Sequence, residues 1–83
     1  MRHRPAALAV ASLLHSYPEA AAATNAQLAA LLQCSPRTAR YGVRAAQDAG
    51  WLELDYAMNA EAGKVLRRMT LTPAGAEAVI DRG

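Results

Sequence analysis

The stretch CSPRTARYGVRAAQDAGWLEL, from Cys34 to Leu54, carries most of the information about the fold of this chain. Its second and third residues, serine and proline, are typical of a helix N-terminus. Serine caps the unpaired backbone N–H groups there, and proline suits the first helical position. Gly50 can end the same helix in a left-handed conformation. The pattern therefore predicts a helix from Pro36 to Ala49.

Two sets of side chains alternate around this predicted helix. One set is small and apolar, and the other is basic and aromatic. At about 100° per residue, a displacement of two residues between the sets places them about 200° apart, on opposite faces. We expect the first face to pack closely against the preceding helix and the second face to meet a partner. The two sets are Ala39, Gly42, Val43 and Ala46, and Arg37, Arg40, Tyr41 and Arg44.

The segment before Cys34 predicts a second short helix. Thr24 and Gln27 have the spacing of a capping box, in which each side chain satisfies a backbone N–H of the other residue. A stripe of leucines follows, and the helix should stop near Gln33. Two short helices joined by a few residues make a helix-turn-helix unit. The predicted buried stripe is Leu28, Leu31 and Leu32.

The N-terminal segment MRHRPAALAVASLL allows two interpretations. Its basic start and apolar run fit a secretory signal. Its apolar side chains also have helical spacing, which favours a first helix of the fold from Pro5 to about Ser16. The alanines between Ala20 and Ala23 favour either a loop or one more helical turn. The apolar stripe of the first helix would be Val10, Leu13, Leu14 and Tyr17.

Beyond Gly50 the period changes from helical to alternating. Leucine and tyrosine alternate with acidic residues from Leu52 to Tyr56, which predicts a half-buried strand. A second strand is expected over residues 64–71, with Val65, Met69 and Leu71 in one parity, and a hairpin loop over 57–63. Thr72 and Pro73 then repeat the capped start and predict a last short helix. The fold class is therefore mainly α with a small β-hairpin, in a single domain over residues 1–83.

Composition narrows the possible functions. The formal net charge is +2, and Glu19 is the only acid before Asp48, so an anionic partner for the basic first half is expected. The single cysteine, Cys34, cannot form an internal disulfide, which fits a reducing cytoplasm. His3 and His15 have no ligands at metal spacing, and no nucleophile–base–orienter set is present. We expect no enzyme activity, no cofactor, no metal and no membrane span.

Three segments together resemble the winged helix-turn-helix family of bacterial DNA-binding proteins, in particular its MarR- and PadR-like regulators. These segments are TNAQLAALL (24–32), SPRTARYGVRAAQDAGWLEL (35–54) and LTPAGAEAVI (71–80). The resemblance covers about three quarters of the chain. It implies a three-helix core, a two-stranded wing and a C-terminal helix. It also implies that the third helix enters the major groove of double-stranded DNA while the wing touches the flanking backbone.

The family pattern assigns DNA contacts to two groups of residues. Arginine can pair with guanine or hold phosphate, and a tyrosine offers its hydroxyl to phosphate. The wing departs from the pattern, because its tip carries Glu61 and no base, and the basic residues follow on the return strand. The implied contacts are Ser35, Arg37, Thr38, Arg40, Tyr41 and Arg44 on the third helix, and Lys64, Arg67 and Arg68 on the wing.

The expected function is sequence-specific DNA binding by a small transcriptional regulator, a repressor without a small-molecule effector. Two alternatives stay open at the level of sequence. The domain could dock onto another protein without touching DNA, in which case acidic side chains should pair with the arginines of the third helix. It could also be a plasmid or phage replication or partition factor. A homodimer is expected, because the chain is short and Ala7 and Ala11 would permit close contact between helices.

Overall fold

The computed structural model describes residues 4–61 and 63–82. Over these residues the chain is mainly helical and has one two-stranded antiparallel sheet, as the sequence predicts. The alanine run, for which the sequence allows either a loop or one more helical turn, begins within a short 3-10 helix over Pro18–Ala22. The elements are α1 (Arg4–Ser16), the 3-10 helix, α2 (Asn25–Leu32), α3 (Pro36–Asp48), β1 (Leu52–Asn59), β2 (Lys64–Leu71) and α4 (Pro73–Arg82).

Side-chain caps begin α2, α3 and α4 where the sequence predicts them. Thr24 Oγ1 accepts from the Gln27 backbone N–H at 3.1 Å, and Gln27 Oε1 accepts from the Thr24 N–H at 2.8 Å, which completes the capping box. Ser35 Oγ accepts from the backbone N–H of Thr38, the third residue of α3, at 3.1 Å. Thr72 Oγ1 accepts from the Gly75 N–H at 3.0 Å. These caps satisfy backbone donors that a helix start would otherwise leave unpaired.

The Thr72 hydroxyl also joins the last helix to the end of α3. It donates to the Gly50 carbonyl oxygen at 2.6 Å, and the Thr72 backbone N–H donates to the Trp51 carbonyl at 2.9 Å. Gly50 has a φ of 79°, the left-handed conformation that the sequence predicts at the end of α3. Trp51 packs against the core at this junction. The end of α3, the root of the hairpin and the start of α4 are therefore one connected unit.

The core lies between α1, α3 and the root of the hairpin. The apolar face of α3 is buried as predicted, at Ala39, Gly42, Val43 and Ala46. α3 packs against α2, as expected, but it packs more extensively against α1. A Cβ added at Gly42 would lie 2.9 Å from the Ala6 carbonyl oxygen, so the two helix backbones nearly touch. The main side chains of this core are Ala7, Val10, Leu14, Leu28, Val43, Leu52 and Met69.

Three expectations about burial in the helical part of the chain are wrong. Leu31 is 58% exposed, because Leu28, Leu32 and Ala29 span the buried arc of about 100° on α2 and Leu31 lies about 60° outside it. Tyr17 is 56% exposed, because α1 ends one residue before it. The two alanines assigned to a dimer contact, Ala7 and Ala11, are buried within the chain against its own helices.

The hairpin is longer than the sequence predicts. β1 pairs antiparallel with β2 from the pair Leu52–Leu71 to the pair Asn59–Lys64. Ala57 and Met58, which were expected in the loop, therefore belong to the strand. Each residue of β1 up to Asn59 has a partner on β2, and residues 60, 61 and 63 are in turns.

Candidate nucleic-acid interface

The outer face of α3 assembles the basic stripe that the sequence predicts. Arg37, Arg40 and Arg44 are exposed and Tyr41 is partly exposed, while the small apolar residues of the opposite face are buried. We call these four residues the arginine face. Because α3 has a regular helical period and is anchored along its buried side, all four side chains project from one rigid surface.

Tyr41 lies between two of the arginines. Arg37 Nε donates to the Tyr41 hydroxyl oxygen at 3.1 Å, and the Arg37 Cζ lies 5.4 Å from the centroid of the tyrosine ring. Arg40 Cζ lies 5.5 Å from the same centroid. Hydrogen bonds from Arg37 and Arg40 lower the pKa of Tyr41 below its usual value of 10.0, and the bond from Arg37 has the larger effect. These contacts restrict the side-chain rotamers and so order the arginine face before any partner binds.

Within residues 4–61 and 63–82, α3 carries one acid, Asp48, which lies one helical turn after Arg44 and lines the same surface depression as Arg40 and Arg44. The structure shows no ion pair between a carboxylate in these ranges and any of the three arginines of the arginine face. The positive charge of the three guanidinium groups is therefore presented to solvent, where it can attract an anionic partner.

The start of α3 lies at one end of the arginine face. Ser35 and Thr38 are exposed, and their side chains contact each other, because Ser35 Oγ donates to Thr38 Oγ1 at 3.0 Å. The cap thus uses part of the hydrogen-bonding capacity of both residues. The first turn still carries the positive end of the helix dipole, which favours an anion such as phosphate.

A groove runs between α3 and the hairpin. Val43 and Leu54 line its floor, Arg40 and Arg44 come from α3, and Tyr56 and Arg67 come from the hairpin. Two arginines of the arginine face and one residue of the predicted wing set therefore share a single concave surface. A partner lying on Arg40 and Arg44 would also be close to the hairpin.

Arg67 is held inside the protein. It is partly buried, and its guanidinium donates from Nη1 to Asn25 Oδ1 at 2.7 Å and from Nη2 to the Ala23 carbonyl oxygen at 2.9 Å. Its Nε is buried and has no hydrogen-bond partner among residues 4–61 and 63–82. The structure thus gives Arg67 internal contacts with the segment that begins α2, in place of the outward position that the family pattern implies.

Lys64 and Arg68, the other two predicted wing contacts, are exposed. They lie on the outer face of the hairpin, because successive side chains of a strand point to opposite faces. Arg68 is directly opposite Asp55 across the sheet. The same alternation explains why Arg67 points inward, because Arg67 shares a face of the strand with the buried Met69. The strand period in the sequence was therefore a signal for the inward position of Arg67, and the sequence interpretation did not use it.

The far half of the hairpin exposes apolar side chains, including Tyr56 and Val65, which the strand alternation in the sequence placed on the buried face; that expectation is wrong for these two residues. Tyr56, Met58 and Val65 lie on its inner face and are 61%, 68% and 58% exposed, and Leu66 on the outer face is 47% exposed. The described core ends at Leu54 and Met69, so the hairpin projects beyond it.

Other kinds of site find little support in the described ranges. No group of three or more His, Cys, Asp or Glu side chains there could hold a metal ion. Cys34 is partly buried and packs against the core, and His3 lies outside the described residues. None of the described helices combines the length and apolar character needed to cross a bilayer.

Comparisons with known proteins give no family assignment. No protein-family profile, curated protein or solved structure matches the chain significantly. The functional argument therefore rests on the chain's own residues and on their geometry.

Proposed function

We propose that this protein binds double-stranded DNA sequence-specifically, as a winged helix-turn-helix regulator. In this proposal α2 and α3 form the helix-turn-helix unit, with Gln33 and Cys34 in the turn, and the β1–β2 hairpin is the wing. The order of the elements, three helices followed by a hairpin and a final helix, supports this assignment. An α-helix fits the major groove of B-DNA, and the 13 residues of α3 extend about 20 Å.

The observation that carries the proposal is the arginine face. A helix with a small buried face and three exposed arginines on the opposite side suits a polyanion that approaches from that side. The docking alternative predicts that acidic side chains pair with these arginines. Within the described residues none of the three forms an ion pair, although Asp48 lies one turn after Arg44. DNA binding is therefore favoured over protein docking.

The position of each arginine suggests its role. Arg37 is in the first turn of α3, beside the cap, and should hold phosphate. Arg40 and Arg44 are one turn apart and line the groove, so at least one of them should read a base edge. Lys64 and Arg68 are exposed on the outer face of the hairpin and, in this proposal, hold phosphates that flank the contacted base pairs. Arg40 and Arg44 then provide specificity, and Arg37, Lys64 and Arg68 provide affinity.

We propose repression of transcription as the cellular role, since a compact DNA-binding domain can block a promoter by occupancy alone. A replication or partition factor would use the same DNA chemistry. A homodimer would match a palindromic site with half-sites about one helical turn apart. With Ala7 and Ala11 buried, a dimer contact would have to use exposed apolar residues such as Ile80 or Leu31. Sedimentation that shows only monomer, both alone and on DNA, would exclude the dimer.

Selection of bound sequences from a random duplex pool tests the proposed function. The expected result is enrichment of one short motif, and a palindromic motif if the protein is a dimer. A variant in which Arg37, Arg40 and Arg44 are all alanine is the matched control and should enrich nothing. If the parent protein also enriches no motif and retains no duplex at low salt, the proposal is wrong.

A further inference from the structure

We infer that Arg67 is a positioning residue, which sets the angle of the hairpin against α2 and α3 and does not itself contact DNA. The evidence for this inference is a set of contacts within the chain. Its consequence for DNA binding rests on the proposed function. Arg67 belongs to the hairpin, and both of its acceptors, Asn25 Oδ1 and the Ala23 carbonyl, belong to the segment that begins α2. The guanidinium therefore joins the proposed wing to the proposed helix-turn-helix unit.

Such a contact matters for the hairpin because the inner face of its far half is mostly exposed, although β2 also packs against the 3-10 helix. Beyond the buried Met69 the inner face continues through Arg67 to Val65, and on β1 it continues through Tyr56 to Met58. Of these four residues only Arg67 is not largely exposed. An isolated two-stranded sheet is marginally stable by itself, so two charge-assisted hydrogen bonds at this point restrict its angle.

The unpaired Nε indicates that Arg67 is poorly explained by stability alone. Burying a guanidinium N–H without a partner is unfavourable, and an apolar side chain of similar length would avoid this cost. What methionine could not supply is the pair of directed bonds to Ala23 and Asn25. The arginine is thus better suited to fixing a geometry than to stabilising the fold.

The geometry that it fixes includes the groove. Arg67 lies on the hairpin side of this groove, and Arg40 and Arg44 lie on the helix side. A change in the hairpin angle would change the distance between these two sides. It would also move Lys64 and Arg68 relative to α3, so the proposed phosphate contacts of the wing would no longer match those of the helix.

Arg67→Met and Arg68→Met form a matched pair for the test. Both remove one positive charge from adjacent positions of β2, so long-range electrostatic effects are the same. We expect Arg67→Met to bind the selected duplex about tenfold more weakly and to lose protection of the flanking DNA in a hydroxyl-radical footprint, while protection by α3 stays. Arg68→Met should lower the salt slope by about 0.9, as expected for one lost phosphate contact, and should lose protection only at that phosphate while the rest of the flank stays protected.

Asn25→Ala provides a second, independent route. It removes one acceptor and leaves every charge in place, so it should weaken flank protection in the same direction as Arg67→Met. The two substitutions together should cost little more than Arg67→Met alone, because they break the same connection. An Arg67→Met variant that lowers the salt slope by about 0.9 and keeps the flank protection would show that Arg67 is a direct phosphate ligand. Unchanged affinity and footprint would show that it has no positioning role.

Hydrogen exchange without DNA separates this inference from the proposed function. Arg67→Met should speed amide exchange in the far half of the hairpin, at residues 56–58 and 65–67, and leave exchange in α1 and α3 unchanged. If the parent binds no DNA but this change appears, the proposed function fails and the structural connection stands. If exchange in the hairpin is unchanged, Arg67 does not hold the hairpin, whatever the protein binds.

Discussion

Helix α3 and the hairpin each carry three basic residues, and the two regions present them in different ways. On α3 the spacing of three and four residues places all three arginines on one exposed face. On β2 the period of two divides the basic residues, so that Lys64 and Arg68 point outward and Arg67 points inward to Ala23 and Asn25. The number of basic residues in a segment therefore does not measure its binding surface. The periodicity of the element decides which charges a partner can reach.

The two regions also differ in how they are held. α3 packs through small side chains from Ala39 to Ala46. The hairpin, in contrast, packs at its root and through β2 against the 3-10 helix, and it exposes the inner face of its far half. We expect the helix to act as a fixed surface and the hairpin to depend on individual contacts. Four predictions, from the largest expected effect to the smallest, test this difference.

Gly75→Ala should have the largest effect, because it acts on the root of the hairpin. A Cβ at Gly75 would overlap the Trp51 carbonyl oxygen and lie 2.7 Å from Leu71 Cδ1. The free energy of unfolding should fall by about 3 kcal/mol, since backbone must move to relieve the overlap. Gly42→Ala is the comparison on α3. Its crowding against α1 is milder and is partly offset by the helix propensity of alanine, so we expect a loss of about 1 kcal/mol.

Urea unfolding followed by circular dichroism measures both variants. If Gly75→Ala is as stable as the parent, α4 does not pack closely on the root of the hairpin.

Single alanine substitutions on the arginine face should distinguish base reading from phosphate binding. Replacement of whichever of Arg40 and Arg44 reads a base should cost about 1–3 kcal/mol of binding and relax preference at one position of the site. Arg37→Ala should weaken specific and scrambled duplexes alike and reduce the salt slope by about 0.9. Titrations on both duplexes at several salt concentrations make the distinction. Uniform weakening by all three variants would mean that none of these arginines reads a base.

Ser35→Ala should destabilise the fold by about 1 kcal/mol through the lost cap of α3. Thr24→Ala should cost a similar amount, because it removes one half of the capping box of α2. Ser16→Ala, at the exposed C-terminal end of α1, is the control and should be nearly neutral. Thermal unfolding of the three variants shows whether the two cap variants are less stable than the control. A Ser35→Ala variant that matches the control would show that the Ser35 side chain does not stabilise α3.

The smallest expected effect is a dependence of binding on alkaline pH. The pKa of Tyr41 is lowered below 10.0 by the two arginines, so its phenolate forms at a lower pH than that of an ordinary tyrosine. The phenolate places a negative charge on the arginine face, and DNA affinity should therefore fall as the pH rises toward 10. Tyr41→Phe cannot ionise and should bind with less dependence on pH over the same range. Identical pH profiles for the parent and Tyr41→Phe would contradict this prediction.

The sequence predicted α3 well for a physical reason. Its apolar and basic sets each follow the helical period without interruption, and capping residues mark both ends, so each exposed or buried position could be assigned individually. The hairpin was less predictable. Its strand bounds depend on pairing between two segments, so the sequence alone did not show that Ala57 and Met58 are paired.

Two further features required the folded chain. The close approach of α3 to α1 depends on Gly42 meeting the Ala6 backbone, and a stripe of small residues indicates a close neighbour without saying which helix it is. The contact of Arg67 with Asn25 joins residues far apart in sequence. The parity shared with Met69 predicts that Arg67 points inward, but it does not predict the partner.

The central claim is that the arginine face of α3 is the surface that reads DNA. The most direct measurement compares the parent with the triple variant Arg37→Ala, Arg40→Ala and Arg44→Ala, on the selected duplex and a scrambled one, across a range of salt concentrations. We predict that the triple variant loses its preference for the selected duplex and binds both weakly, with a salt slope reduced by up to about 2.7 if all three arginines contact phosphate. A folded triple variant that binds both duplexes as tightly as the parent does would contradict the claim and would favour a docking role for this domain.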